Sequence, residues 1–164
     1  MAREGEARGH RKDCHERALG LLAVRQRSRK ELERRLTQAG FDPEEVVDEL
    51  ARLERVGLVD DDAFARAVAE QAFGARKEGR RAVARRLATA GVEPETAAAA
   101  LDEAQDDEEA RAESLARERL ARLRNVPPEK AFARLVGLLS RRGYPPGVAR
   151  SAARRVLALE GVED

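Results

Sequence analysis

Apolar positions in this chain recur at helical spacing. Leu32, Leu36 and Ala39 fall on one face of a helix. The pattern returns 51 residues later: Arg35-Leu36-Thr37-Gln38-Ala39-Gly40-Phe41-Asp42-Pro43-Glu44 aligns with Arg86-Leu87-Ala88-Thr89-Ala90-Gly91-Val92-Glu93-Pro94-Glu95. A weaker third copy, Leu139-Ser140-Arg141-Arg142-Gly143-Tyr144-Pro145-Pro146, follows after a further 52. In each copy a glycine without Cβ suits a left-handed helix terminator, and a proline then suits the first turn of the next helix. Asp42 is a good cap there, and Glu93 at least matches the positive helix end.

The unit is therefore helix, glycine turn, helix, with one more helix in front. The pattern predicts nine helices: roughly 14–26, 28–39 and 43–56; 61–78, 80–90 and 94–105; 107–124, 128–142 and 146–160. The expected fold is all-α, with three tandem three-helix repeats forming an elongated, curved helical array. Expected boundaries are a disordered arm over 1–13, then repeats over 14–58, 59–105 and 106–164.

Composition strengthens the helical reading. Of 164 residues, 42% are apolar but many of these are Ala, only 3% are aromatic, and there is no Trp. Ala, Leu, Arg and Glu lose little side-chain entropy in a helix, and the residues that strands prefer are scarce. No apolar run approaches 20 residues, Cys14 is alone, and the N-terminus is polar through Glu16. A membrane span, a disulfide scaffold and a secretory leader are not expected, which leaves the cytoplasm as the default compartment.

The near-zero net charge conceals segregation. Residues 8–35 hold ten basic and four acidic side chains, 42–62 two and nine, 76–86 six and one, and 93–109 none and eight. Arg25, Arg29, Lys30, Arg34 and Arg35 recur as Arg76, Arg80, Arg81, Arg85 and Arg86 under the same shift of 51. Arg27, Lys30 and Arg34 form one stripe along the second helix and its entry. Packing demands that core residues repeat, but not surface charge. Exposed ion pairs are worth at most about 1 kcal/mol each, so stability alone does not call for this recurrence. Two readings stay open: a stripe that binds a partner, or solvated helix surface paired with the acidic third helices. In the last repeat the basic residues move, and Arg141, Arg142, Arg150, Arg154 and Arg155 suggest a separate C-terminal patch that could face DNA.

Ala18-Leu19-Gly20-Leu21-Leu22-Ala23, then Arg27-Ser28-Arg29-Lys30-Glu31-Leu32 and Arg35-Leu36, carry a resemblance. Val46, Val47, Leu50 and Gly57-Leu58-Val59-Asp60-Asp61 with Phe64-Ala65 continue it, as do Gly79, Arg80, Arg81, Leu87 and Gly91-Val92. In this order and spacing the chain resembles the RecX family, regulators of the RecA recombinase, over about residues 14–160. The resemblance implies tandem three-helix repeats and a modulator without catalytic activity. It also implies binding along or at the growing end of the RecA nucleoprotein filament, with inhibition of extension, strand exchange and coprotease activity. Some members of the family also bind DNA.

Other positions have simpler readings. Asp60 and Asp61 suit the start of the fourth helix as caps, or contact a basic partner surface. Ser28 with Glu31 reads as a capping box, and Phe64 as core. Tyr144 is expected to pack its turn as Phe41 does. His10, Cys14 and His15 fit no zinc spacing, so no metal is expected. No phosphate loop or nucleophile set is visible, so neither a cofactor nor a catalytic residue is expected. The partners expected are the RecA filament and single- or double-stranded DNA, without a membrane, for a monomeric chain. A helical DNA-binding protein acting independently of RecA is the alternative, although the scarcity of aromatics leaves little for base stacking.

Overall fold

The computed structural model describes residues 13–104 and 107–160. Among these the chain is all-α, with nine helices in three successive sets of three. They are α1 (Cys14–Val24), α2 (Arg29–Gln38), α3 (Pro43–Arg55), α4 (Asp61–Phe73), α5 (Arg80–Thr89), α6 (Pro94–Glu103), α7 (Glu108–Leu120), α8 (Pro128–Arg141) and α9 (Pro146–Glu160). Of the expected arm over 1–13, residues 1–12 lie outside the described residues. Asp13 caps α1: its Oδ1 accepts from the Glu16 amide at 2.7 Å while Glu16 reaches back to the Asp13 amide. Two compact units divide the chain, one ending at Phe64 and one beginning at Ala65.

The repeated motif builds the same turn three times. Gly40, Gly91 and Gly143 take φ of 87°, 77° and 93°. The next amide then reaches back into the preceding helix: Phe41 to the Leu36 carbonyl at 3.3 Å, Val92 to Leu87 at 3.0 Å and Tyr144 to Leu139 at 3.1 Å. An L side chain is disfavoured at these φ values, which accounts for the recurrence of glycine. Pro43, Pro94 and Pro146 open the following helices.

In the first unit Leu32, Leu36, Val46, Leu50 and Leu53 form the core with Cys14 and Ala18, and Phe41 packs against it. In the second unit Leu115, Leu120, Leu135, Leu139, Tyr144 and Val156 gather with small residues from α7 and α9. Those alanines matter: Ala112, Ala116, Ala149 and Ala153 are fully excluded from solvent and let helices approach closely.

Three helix ends differ from expectation. α1 stops at Val24 because Arg25 is extended, with φ −165°. α4 stops at Phe73, well before 78, because Lys77 takes φ 48° and the chain turns through Gly74 and Gly79. α7 stops at Leu120, where the Leu123 amide closes a tight turn on the Leu120 carbonyl at 2.7 Å.

The early end of α4 creates a joint within the second unit. The Gly79 amide donates to the Arg142 carbonyl at 2.8 Å, and the Arg81 amide to that of Gly143 at 3.2 Å. A Cβ on Gly79 would lie 2.3 Å from the Gly143 carbonyl, so only glycine fits there. Tyr144 Oη donates to the Lys77 carbonyl at 2.6 Å. Arg111, 6% exposed, donates from Nε to the Glu78 carbonyl at 2.7 Å and lies 4.1 Å from the Phe73 ring centroid. Burial lowers the Arg111 pKa and raises that of Tyr144. Tyr144 thus packs its turn as expected, and its hydroxyl also closes the joint.

Candidate partner-binding surfaces

The basic positions on α2 and α5 begin from helix N-termini built alike. Ser28 Oγ accepts from the Glu31 amide at 3.1 Å. Asp61 Oδ1 accepts from the Arg29 amide at 2.8 Å, while Asp60 Oδ1 caps α4 through the Ala63 amide at 3.0 Å. The acidic pair therefore satisfies two helix starts rather than one. In the second unit Glu108 takes the corresponding place, accepting from the Arg80 amide at 2.9 Å. α2 and α5 thus each receive a carboxylate from the first helix of the next repeat, which satisfies one of their orphan donors.

Much of the sequence-level stripe is committed within the chain. Arg27 is not a surface residue. It is 6% exposed, its Nε donates to the Leu21 carbonyl at 3.2 Å and its Nη1 to Glu31 at 2.8 Å. Its charge closes the end of α1 and leaves no contact for a partner. Of the expected capping box the Ser28 half forms, while the Glu31 carboxylate holds two guanidiniums, Arg25 and Arg27. Arg29 pairs with Glu54 at 2.5 Å and with Glu33 at 3.7 Å. In the second unit Glu78 receives Arg86 through both oxygens, at 2.5 and 2.8 Å, and Arg76 at 3.8 Å. Arg80 reaches Asp102 at 2.5 Å.

The exposed remainder is smaller and recurs. Lys30 and Arg34 on α2 are exposed, Lys30 meeting only its neighbour Glu33 at 3.1 Å among the described residues. At the equivalent places on α5, Arg81 and Arg85 are exposed, and neither side chain has a carboxylate partner among the described residues. Arg35, next to Arg34, is exposed in the same way. Such pairs, four residues apart, stand on one helix face.

The expected C-terminal patch separates into different surroundings. Arg155 pairs with Glu113 at 2.7 Å and Glu109 at 3.2 Å, and these carboxylates raise its pKa. Arg142 donates to the Arg76 carbonyl at the joint. Arg154 lies 5.9 Å from the Phe132 ring centroid. Arg150 is exposed on α9. Arg141 faces a groove, and its companions there are Arg119, Arg122 and Arg134. Arg119, on α7, and Arg122, just past its end, lie outside the expected patch. The signal available in the sequence was the i, i+3 spacing of Arg119 and Arg122 beside an unusual helical glycine, Gly137.

Among the described residues no three His, Cys, Asp or Glu side chains are grouped to hold a metal ion, and no helix is long and apolar enough to cross a membrane. Cys14 is buried, and burial with the nearby carboxylates of Glu45, Glu49 and Asp13 raises its thiol pKa to about 11.

Fold and surface define the class: an all-α protein assembled from tandem three-helix domains, with a basic face recurring on the second helix of the first two. The comparison with known sequences makes this specific. The chain belongs to the RecX family of regulatory proteins, whose first three-helix domain matches residues 14–53 and whose second matches 60–101. It is 38% identical over 153 residues to regulatory protein RecX of Amycolatopsis mediterranei (strain U-32), covering 93% of this chain and 87% of that protein. Identity is 40% over 147 residues with regulatory protein RecX of Streptomyces coelicolor (strain ATCC BAA-471 / A3(2) / M145), covering 87% and 77%. Among solved structures, RecX from Lactobacillus salivarius matches with a TM-score of 0.74 at 17% identity, over 87% of this chain and 94% of that one, a likeness of fold.

Proposed function

We propose that this chain is a non-catalytic regulator in the cytoplasm that binds the RecA nucleoprotein filament and restrains its extension, strand exchange and coprotease activities. The observation that carries the reading, beside family membership, is the exposed basic face at equivalent places on two successive domains: Lys30 and Arg34 on α2, Arg81 and Arg85 on α5. A filament offers the same acidic features repeatedly, and a protein with repeated cations can engage more than one of them. Each added engagement then multiplies affinity. Arginine suits the task because its planar fork donates two parallel hydrogen bonds to a carboxylate or phosphate.

The test is RecA-catalysed ATP hydrolysis and strand exchange with the chain titrated well below one copy per recombinase. Wild type is expected to inhibit both. The Lys30→Gln, Arg34→Gln, Arg81→Gln, Arg85→Gln variant is expected to need at least about tenfold more protein, because loss of roughly 0.5 kcal/mol at each of four exposed ionic contacts approaches a factor of ten or more. Unchanged inhibition by the variant would remove the basic face from the mechanism. No effect of wild type on either activity at equimolar ratio would overturn the function itself.

Because the same guanidiniums also suit phosphate, binding to DNA alone is the second reading. It would show as steeply salt-dependent DNA affinity without any association with RecA.

A further inference from the structure

Between α7 and α8 lies a groove of about 600 Å³. Arg119, Arg122, Arg134 and Arg141 line it over a floor that includes Leu123, Gly137 and Leu138, and no acidic residue lines it. All four arginines are exposed, and none has a carboxylate partner among the described residues. Elsewhere on α7 the pattern is the opposite: Glu113 receives both Arg117 and Arg155. Four like charges converging on one concavity repel one another, and an anionic occupant relieves that repulsion.

The floor is shaped for something besides charge. A Cβ on Gly137 would lie 3.2 Å from Arg141 Nη1, so the missing side chain lets that guanidinium lie across its own helix. Arg134 and Arg141 stand seven residues apart on α8, about 10 Å along the axis at 1.5 Å per residue. Half-buried Leu138 lies between them in sequence, and buried Leu123 joins it from beyond the end of α7.

The geometry points to a docking groove for an acidic polypeptide segment in which carboxylates flank an aliphatic side chain. Two anionic groups about 10 Å apart correspond to residues three apart in a polyproline II segment, whose three residues per turn at about 3.1 Å each put both side chains on one face. The aliphatic side chain between them covers Leu138. A nucleic-acid strand satisfies the arginines less completely, because no aromatic ring lines the groove for a base to stack on. The inference uses α7 and α8 and does not rest on the recombinase-binding reading of α2 and α5.

The test is fluorescence anisotropy of the full chain at near-physiological salt with four labelled probes. One is an extended peptide with aspartates three apart bracketing leucines. The second is the same peptide with serine for leucine, and the others are a single-stranded and a duplex oligonucleotide. The leucine peptide is expected to bind about tenfold or more tighter than the serine peptide, the effect of burying one leucine side chain. The Arg119→Gln, Arg122→Gln, Arg134→Gln, Arg141→Gln variant is expected to lose at least about tenfold in affinity for it. Arg150→Gln with Arg154→Gln should leave it unchanged. Gly137→Ala favours the helix yet displaces Arg141, so it tests the groove without threatening the fold, and several-fold weakening is expected. Equal affinity for the two peptides, or an unaffected quadruple variant, would overturn the proposal. Oligonucleotide binding lost in that variant, with neither peptide bound, would reassign the groove to nucleic acid.

Discussion

Replacing Gly79 with alanine tests the joint on which the third repeat meets the second. The added Cβ would lie 2.3 Å from both the carbonyl carbon and oxygen of Gly143 and 2.5 Å from the Tyr144 amide. All three are backbone atoms and cannot swing aside. Ordinary contact requires about 3.4 Å or more, so the turn must retreat by about 1 Å. That retreat stretches the Gly79–Arg142 and Arg81–Gly143 hydrogen bonds and pulls the Tyr144 hydroxyl from the Lys77 carbonyl. Three bonds at about 1 kcal/mol each give a loss of about 3 kcal/mol. Alanine recovers about 0.4–1 kcal/mol through the unfolded chain, since φ −77° at this position suits any residue. A net destabilisation of about 2–3 kcal/mol is expected. Tyr144 is the only tyrosine and the chain has no tryptophan, so intrinsic fluorescence during urea unfolding reports this joint directly. With a slope of about 1–2 kcal/mol per molar, the midpoint should fall by more than about 1 M. Gly20 is the control: a Cβ there meets nothing, so alanine should leave the Tyr144 transition in place while stabilising the first unit by about 0.5–1 kcal/mol, read by far-UV circular dichroism. A Gly79→Ala midpoint within error of wild type would refute the close-approach argument.

Further predictions concern the first unit and the core. Arg27→Ala should destabilise the first unit by about 2 kcal/mol through lost packing and lost bonds to Leu21 and Glu31, whereas exposed Arg35→Ala should stay within about 0.5 kcal/mol, both read by far-UV circular dichroism during urea unfolding. Leu87→Ala, at a fully buried position, should cost about 2–5 kcal/mol in thermal or urea unfolding. For Cys14 the folded thiol holds its proton until about pH 11 while the unfolded thiol releases it near the ordinary 9.0. The unfolded state thus binds fewer protons in that window, and stability is full below about 9 and lost as pH rises towards 11. Cys14→Ala should flatten the fall in the first unit's stability between pH 9 and 11, and alkylation of the native chain at pH 8 should be far slower than that of the unfolded chain.

Local rules were enough for the helices because their signals are local. The glycine terminators, the prolines after them and the caps at Ser28, Asp42 and Asp60 act within a few residues, and each appears where the pattern places it. The end of α4 was not legible for the opposite reason. The carbonyls that follow it, at Arg76, Lys77 and Glu78, are taken by Arg142, Tyr144 and Arg111, which lie 66, 67 and 33 residues away. Nothing in the neighbourhood of Lys77 announces those partners. The basic stripe was legible as a list of residues but not as a surface, because helical spacing says which side chains share a face and not which carboxylate reaches them.

One substitution between the repeats bears on which cations remain exposed. The buried position before α2 is Arg27, and 51 residues on it is Glu78, equally buried. Glu78 recruits Arg86, so the α5 residue equivalent to Arg35 is held against its own domain. Arg27 instead recruits Glu31, and Arg35 stays exposed beside Arg34. Position 31 becomes Ala82 in the second repeat, as it must once no buried arginine needs it, and a Cβ on Gly143 would in turn press on that alanine at 2.4 Å. The reversal at one buried site therefore redistributes charge on the surface above it without altering the helices. Lys30 with Arg81, and Arg34 with Arg85, stay exposed in both domains. The exposure of these two places in both domains is the feature on which the proposed partner face rests.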